Sequence, residues 1–338
     1  MTVFGFHASH EQVDPRQLLA DVQSAERAGF GAAMCSDHFA PWSRRQGHSG
    51  HAWSWLGAAL ATTGLRLGVV TAPGQRYHPA IIAQASATLA QMFPGRFWMA
   101  PGSGENLNEH ITGDPWPEKE ERQRRLEEGI DVIRRLHRGE TVTHRGRVTV
   151  EHARLWDLPP EPVPLIAPAV SRRTTARSAA WADGFITVNQ PVETLRELLQ
   201  AYRGNGGRGP AALQVHLSWA PSQREAERIA MEQWQSNVLP PPRCWDLALP
   251  ENFEAATAGA GPEDVTGVVN VSADLDRHVR WLAEYAALGF DEVYLHFVGR
   301  HQAPFLEAFG AEVLPALSAL STRTERTERT ERTAEPAP

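Results

Sequence analysis

Short runs rich in Val, Ile, Leu and Phe alternate with amphipathic helical segments along this chain, and that alternation restricts its fold more than any other feature. The strand-like runs are Val3–His7, Ala32–Cys35, Leu65–Thr71, Arg96–Ala100, Val163–Ala167, Gly184–Val188, Leu213–Trp219 and Glu292–Val298. Apolar residues at helical spacing predict helices at Pro15–Ala28, Trp53–Thr63, Ala80–Met92, Lys119–His137, Ser171–Ala182, Val192–Tyr202, Gln223–Gln235, Asp274–Leu288 and Ala303–Leu320. Strands separated by helices pair in parallel, and eight such units make an α/β protein, a (β/α)8 TIM barrel. A doubly wound open sheet is the alternative. It has fewer strands and often a glycine fingerprint after the first; here the first strand runs into His7-Ala8-Ser9. Two excursions are expected, a hairpin over His144–Leu158 and a Pro-, Ala- and Gly-rich stretch over Leu239–Pro262.

A length of 338 residues would suit two domains of ~150 residues each, but a barrel uses ~250 in one unit. One domain is therefore expected over residues 1–321, followed by a Thr/Glu/Arg repeat at 322–338 that has no apolar face and is expected to be disordered. The net charge of −7 argues against a nucleic-acid surface, which needs a basic stripe. The two cysteines, Cys35 and Cys244, do not suggest a disulfide framework. The N-terminus carries no signal-peptide pattern, and no apolar run reaches about 18 residues. A cytoplasmic protein with no membrane role is expected.

In such a barrel the chemistry gathers after the C-terminal ends of the strands. Strand one is followed by His7, Ser9 and Glu11, and strand two by Ser36-Asp37-His38-Phe39-Ala40-Pro41-Trp42. Strand four is followed by Gly102-Ser103-Gly104-Glu105-Asn106-Leu107-Asn108-Glu109, and strand five by Pro168 and then Ser171-Arg172-Arg173. His38 at the barrel mouth can take a proton near neutrality. Trp42 can cap the core or wall a planar ring. Gly102 and Gly104 let backbone approach a ligand, with Glu105 projecting from that loop. Ser171 and Arg172 open a helix, either as a cap with solvated arginines or as an anion site.

The Ser-Asp-His motif at 36–38, joined to Gly-Glu-x-x-Asn at 104–108, resembles the luciferase-like monooxygenase superfamily. The branch containing F420-dependent glucose-6-phosphate dehydrogenases is the most similar. Arg76-Tyr77-His78-Pro79 and Ala182-Asp183-Gly184-Phe185-Ile186 also fit, and the resemblance runs to about Leu320. It implies a flavin-type ring over the barrel mouth. His38 would be the base, Glu105 an acid or charge stabiliser, and Trp42 a neighbour of the reacting centre. Asp37, Val69, Val70, Gly102, Gly104, Asn108, Ser171 and Arg172 would bind the cofactor, with no metal.

Two departures matter. The Gly-Gly-Pro-type turn expected after strand five reads Ala167-Pro168-Ala169-Val170-Ser171, with Arg172 and Arg173 as compensation. This favours FMN over coenzyme F420. The lysine expected after strand six is replaced by Thr187-Val188-Asn189-Gln190-Pro191, which argues against glucose 6-phosphate.

The resulting expectation is an FMN- or F420-dependent oxidoreductase acting on a small molecule, with a homodimer as a further possibility. A flavin monooxygenase served by a partner reductase remains open. So does a metal-dependent hydrolase using His7, His38, His216 and His296, which lie in or just after strands, and so does a flavin-binding protein without turnover.

Overall fold

The computed structural model describes residues 2–320; the expected tail at 322–338, and residue 321, lie outside the described residues. The barrel strands are β1 (Val3–Ala8), β2 (Ala32–Ser36), β3 (Arg66–Thr71), β4 (Phe97–Pro101), β5 (Ile166–Pro168), β6 (Gly184–Val188), β7 (Ala211–Ser218) and β8 (Glu292–Phe297). All pair in parallel in the order β4-β3-β2-β1-β8-β7-β6-β5. A single parallel bridge between Met99 and Leu165 closes the ring, with Met99 N donating to Pro164 O at 3.1 Å. Closure is narrow there because β5 has only three residues. Pro164 and Pro168 carry no N–H to extend its ladder, so the strand is shorter than the expected Val163–Ala167.

Strand alternation divides the core in two. One set of residues, including Phe6, Ala33, Cys35, Val69, Met99 and Leu213, packs outward against the helices. The other set, Ala32, Met34, Trp98, Ala100, Ile166, Ile186, Ala212 and Tyr294, fills the lumen. Gly68 and Gly5 make room there. A Cβ on Gly68 would lie 1.9 Å from Trp98 Cε2, and one on Gly5 would lie 2.5 Å from Tyr294 Cδ1. Trp98 and Tyr294 thus plug the lower lumen and leave its upper end to polar residues.

The first excursion is an antiparallel hairpin pairing Val142–Arg145 with Thr149–Ala153. The second holds short helices at Arg243–Asp246 and Pro250–Ala256. Beyond it, Asn270–Val271 adds a two-residue parallel strand to β7 that the sequence reading did not anticipate. The stretch Gln302–Leu320 is long and apolar enough by composition to cross a membrane, although Gln302, Glu307 and Glu312 interrupt it and it contains no continuous apolar run of about 18 residues. Its apolar stripe of Phe305, Phe309, Val313 and Leu317 is buried against the barrel core.

Candidate active site

One cavity opens at the C-terminal end of the strands. Its walls come from Asp37 and His38 after β2, Val70 to Ala72 at the end of β3, and Gly102 to Glu105 after β4. Pro168 to Val170 after β5, Ile186 to Val188 in β6, and Gln214 in β7 complete it. Lys119, Arg122 and Trp245 stand at its side.

His38 is the centre of the site's charge arrangement. Its Nδ1 lies 3.2 Å from Glu11 Oε1, and its Nε2 lies 3.8 Å from Glu105 Oε2. Glu11 is held from two sides: Ser9 Oγ donates to Oε2 at 2.7 Å and Ser36 Oγ to Oε1 at 3.0 Å. Burial pushes the Glu11 carboxyl up, but His38 and the Ser9 hydrogen bond outweigh it and hold the group below the usual carboxylate range. Glu105 behaves in the opposite way, since burial lifts its carboxyl above the usual range despite His38 nearby. An ionised carboxylate therefore backs the imidazole, and a carboxyl that keeps its proton more readily faces it.

Trp42 stands edge-on to His38 with centroids 5.2 Å apart, braced by Phe253 at 5.2 Å from the second excursion. Asp37 is nearly fully buried, and its carboxylate is already engaged: Trp53 Nε1 and Thr71 Oγ1 donate to Oδ2 at 3.2 and 2.9 Å, and Tyr77 Oη to Oδ1 at 3.3 Å. Asn108 is likewise committed. Its Oδ1 accepts from Phe39 N at 2.9 Å, and its Nδ2 donates to Glu105 Oε2 at 3.4 Å. Both residues touch the cavity while tying its loops together. Gly104 sits at φ +83°, where a Cβ would also press on Glu109 Cγ at 3.1 Å; a side chain there would be strained and crowded. Glu109 is buried beneath that loop and accepts from Gln75 N and Arg76 N, which anchors the β3 turn.

Four expected site residues do not line the cavity: Trp42, which stands beside His38, and Val69, Ser171 and Arg172. Val69 has the outward parity of β3 and is buried against the helical shell, whereas Val70 lines the cavity. Ser171 caps the helix Arg172–Ser178 by accepting from Thr174 N. Arg172 is 70% exposed and faces Glu197 at 3.9 Å, because the first turn of that helix points it outward. The cavity is reached from this segment by Ala169, Val170 and Thr174. The cations on its walls are instead Arg76, paired with Asp37 and Glu109, and Lys119 and Arg122, which lie over Trp245 and Trp116. The site roles of Glu11, Lys119, Arg122 and Gln214 were not assigned from sequence. Glu11 had a visible signal, a carboxylate in the first loop after a barrel strand.

The histidines of the hydrolase alternative gather in the upper lumen, but not as a ligand set. His7 stacks on His296 with centroids 4.2 Å apart, and His216 is edge-on to His296 at 5.3 Å. Among the described residues no group of three His, Cys, Asp or Glu side chains is placed to hold a metal ion.

A parallel barrel with an imidazole between two carboxyl groups at its mouth has the acid–base site of an enzyme. The family model for luciferase-like monooxygenases matches residues 1–261, and the chain belongs to that family. It is an FMN- or F420-dependent oxidoreductase of the luciferase-like class. It is 36% identical over 329 residues to an F420-dependent glucose-6-phosphate dehydrogenase of Beutenbergia cavernae, covering 94% of this chain and 98% of the relative. Among solved structures it resembles an F420-dependent secondary alcohol dehydrogenase in complex with an F420-acetone adduct. That match has a TM-score of 0.86 at 27% identity, over 94% of this chain and 99% of the other. The oxygenating constituent of a 3,6-diketocamphane monooxygenase from Pseudomonas putida, in complex with FMN, shares the fold. Its TM-score is 0.67 at 19% identity, over 93% and 98% of the two chains.

Proposed function

We propose that this protein is a coenzyme F420-dependent dehydrogenase that oxidises the alcohol group of a small substrate other than glucose 6-phosphate, with His38 as the base. The observation that carries this reading is the placement of His38, with Glu11 behind Nδ1 and Nε2 turned toward Glu105 and the cavity.

The cavity suits a planar ring. Apolar walls from Val70, Ala72, Pro168, Ala169 and Ile186 face one another, and Gly102 and Gly104 keep side chains out of the rim. When bound, a deazaflavin ring accepts a hydride. His38 Nε2 would take the hydroxyl proton as the substrate carbon loses hydride. The Glu11 carboxylate would stabilise the imidazolium that forms, and Glu105 and Trp42 would confine the alcohol beside it.

The expected preference for FMN gives way here. A relative 36% identical and a structure 27% identical carry F420 in their names, whereas FMN appears with a structure at 19% identity. Thr187 and Val188 line the cavity where the resemblance expects a lysine nearby, which keeps glucose 6-phosphate outside the proposal. The reading requires no reductase partner and keeps the protein in the cytoplasm.

The test is titration of the purified protein with coenzyme F420 and with FMN, followed by turnover of secondary alcohols and of glucose 6-phosphate. His38→Ala should lower kcat by about 10²- to 10⁴-fold and leave coenzyme affinity within about twofold. Tighter binding of FMN than of F420, or full activity of His38→Ala, would overturn the reading.

A further inference from the structure

The polar upper lumen contains a chain of hydrogen bonds whose direction can be worked out from one backbone carbonyl. Val298 O can only accept, and Gln12 Nε2 donates to it. The other end of that amide can only accept, so His296 Nε2, 2.7 Å from Gln12 Oε1, carries a hydrogen. His296 is buried, and the titratable groups acting on it, His7, His216 and His38, all oppose a charge there. Its ring is neutral, so Nδ1 bears a lone pair and Gln214 Nε2 donates to it at 3.2 Å. The second hydrogen of Gln214 Nε2 goes to His216 Nε2 at 3.1 Å, which makes His216 the Nδ1–H tautomer. Burial keeps that imidazole neutral too, at a pKa of about 3.

Both hydrogens of the Gln214 amide are thereby used. Its Oε1 has no donor among the described residues and is not sealed from solvent, and Gln214 lines the cavity. An amide normally offers a ligand either end by flipping. This one cannot flip without setting its oxygen against the lone pair of His296 Nδ1.

We propose that Gln214 Oε1 is a fixed hydrogen-bond acceptor in the cavity floor, aligned by Gln12 and His296, that selects ligands presenting an N–H or O–H donor at that point. The inference rests on the function proposed above. The donor is then either the imide N–H of the ring cofactor or the hydroxyl of the alcohol.

Two measurements on the full chain test it. Imidazole nitrogen–proton correlation spectra should show His296 as the Nε2–H tautomer and His216 as the Nδ1–H tautomer. The reverse tautomer, or a charged His296, overturns the proposal whether or not any cofactor binds. The second measurement uses Gln214→Leu, after thermal unfolding confirms that it is folded. Gln214→Leu should raise either the Kd for F420 or the KM for propan-2-ol by about tenfold, the first identifying the imide and the second the hydroxyl. Unchanged constants in Gln214→Leu overturn the proposal. If the wild-type protein takes up neither F420 nor FMN, the proposed function fails, and the tautomer result still decides the network.

Discussion

Glu11 Oε1 lies 3.2 Å from His38 Nδ1, and the two residues come from loops after neighbouring strands. The β1–β2 register, which sets His7 beside Met34 and Ala8 beside Cys35, brings those loops together. Glu11 touches no reacting atom in the proposed reaction and acts through the imidazole, so it is a positioning residue. Glu11→Gln keeps the shape of the side chain and removes the charge that offsets the imidazolium. The expected result is a fall in kcat of about 10- to 100-fold with KM and coenzyme affinity nearly unchanged, and partial recovery in Glu11→Asp. Steady-state kinetics with F420 and an alcohol measure this. A purely structural role would instead lower the unfolding temperature and raise KM together.

Lumen packing makes a second prediction. Gly68→Ala places a methyl 1.9 Å from Trp98, a ring held between β3 and Tyr294. The expected loss is about 3 kcal/mol of stability from overpacking, read from urea unfolding midpoints. Gly95→Ala is the control. It has φ +72° and nothing within 4 Å of the added carbon, so only backbone strain of about 1 kcal/mol should appear.

Much of this was legible in the sequence, and the misses share a cause. The barrel strands were readable because strands covered on both faces are nearly continuous apolar runs. His38, Glu105 and Trp42 could be singled out as candidates because the rule that chemistry follows strand ends is local. The Asn270–Val271 strand was missed because two residues carry no period. Val69 was grouped with Val70 although alternation gives neighbours opposite faces; the clue was Gly68, which shares its parity with the lumen set. The Glu11–His38 pair and the Gln12–His296–Gln214 chain join segments that meet only when the barrel closes, and no local spacing encodes them.

Arg172 was a candidate for an anion site, but the helix that follows β5 turns it outward, so the cavity's own cations should matter more. Arg172→Ala is expected to leave the Kd for F420 within about twofold. Lys119→Ala removes an ammonium that lines the cavity over Trp245. It should weaken F420 by about three- to tenfold at low salt, and by less at high salt as screening grows. Equal losses in both variants would return the anion site to the helix start.

The buried histidines should make the protein acid-sensitive. Burial lowers His7, His10, His137 and His278 to about 4 and His216 to about 3, and holds His296 well below 6.5. Each is neutral in the folded state where its unfolded counterpart, near 6.5, is already taking up a proton. The unfolded chain therefore binds more protons between pH 6.5 and about 4, so stability is complete above 6.5 and is lost as pH falls through that window. Asp21, Glu105 and Glu109 have raised carboxyl values and act in the opposite sense in the lower part of the window, but six imidazoles outnumber three acids. Each uncompensated proton contributes about 1.4 kcal/mol per pH unit. The melting temperature should therefore be level from pH 8 to 7 and fall by about 5 °C or more per pH unit below 6.5. Calorimetry at a series of pH values measures this, and a flat profile down to pH 5 would mean that these imidazoles reach solvent and titrate normally in the folded protein.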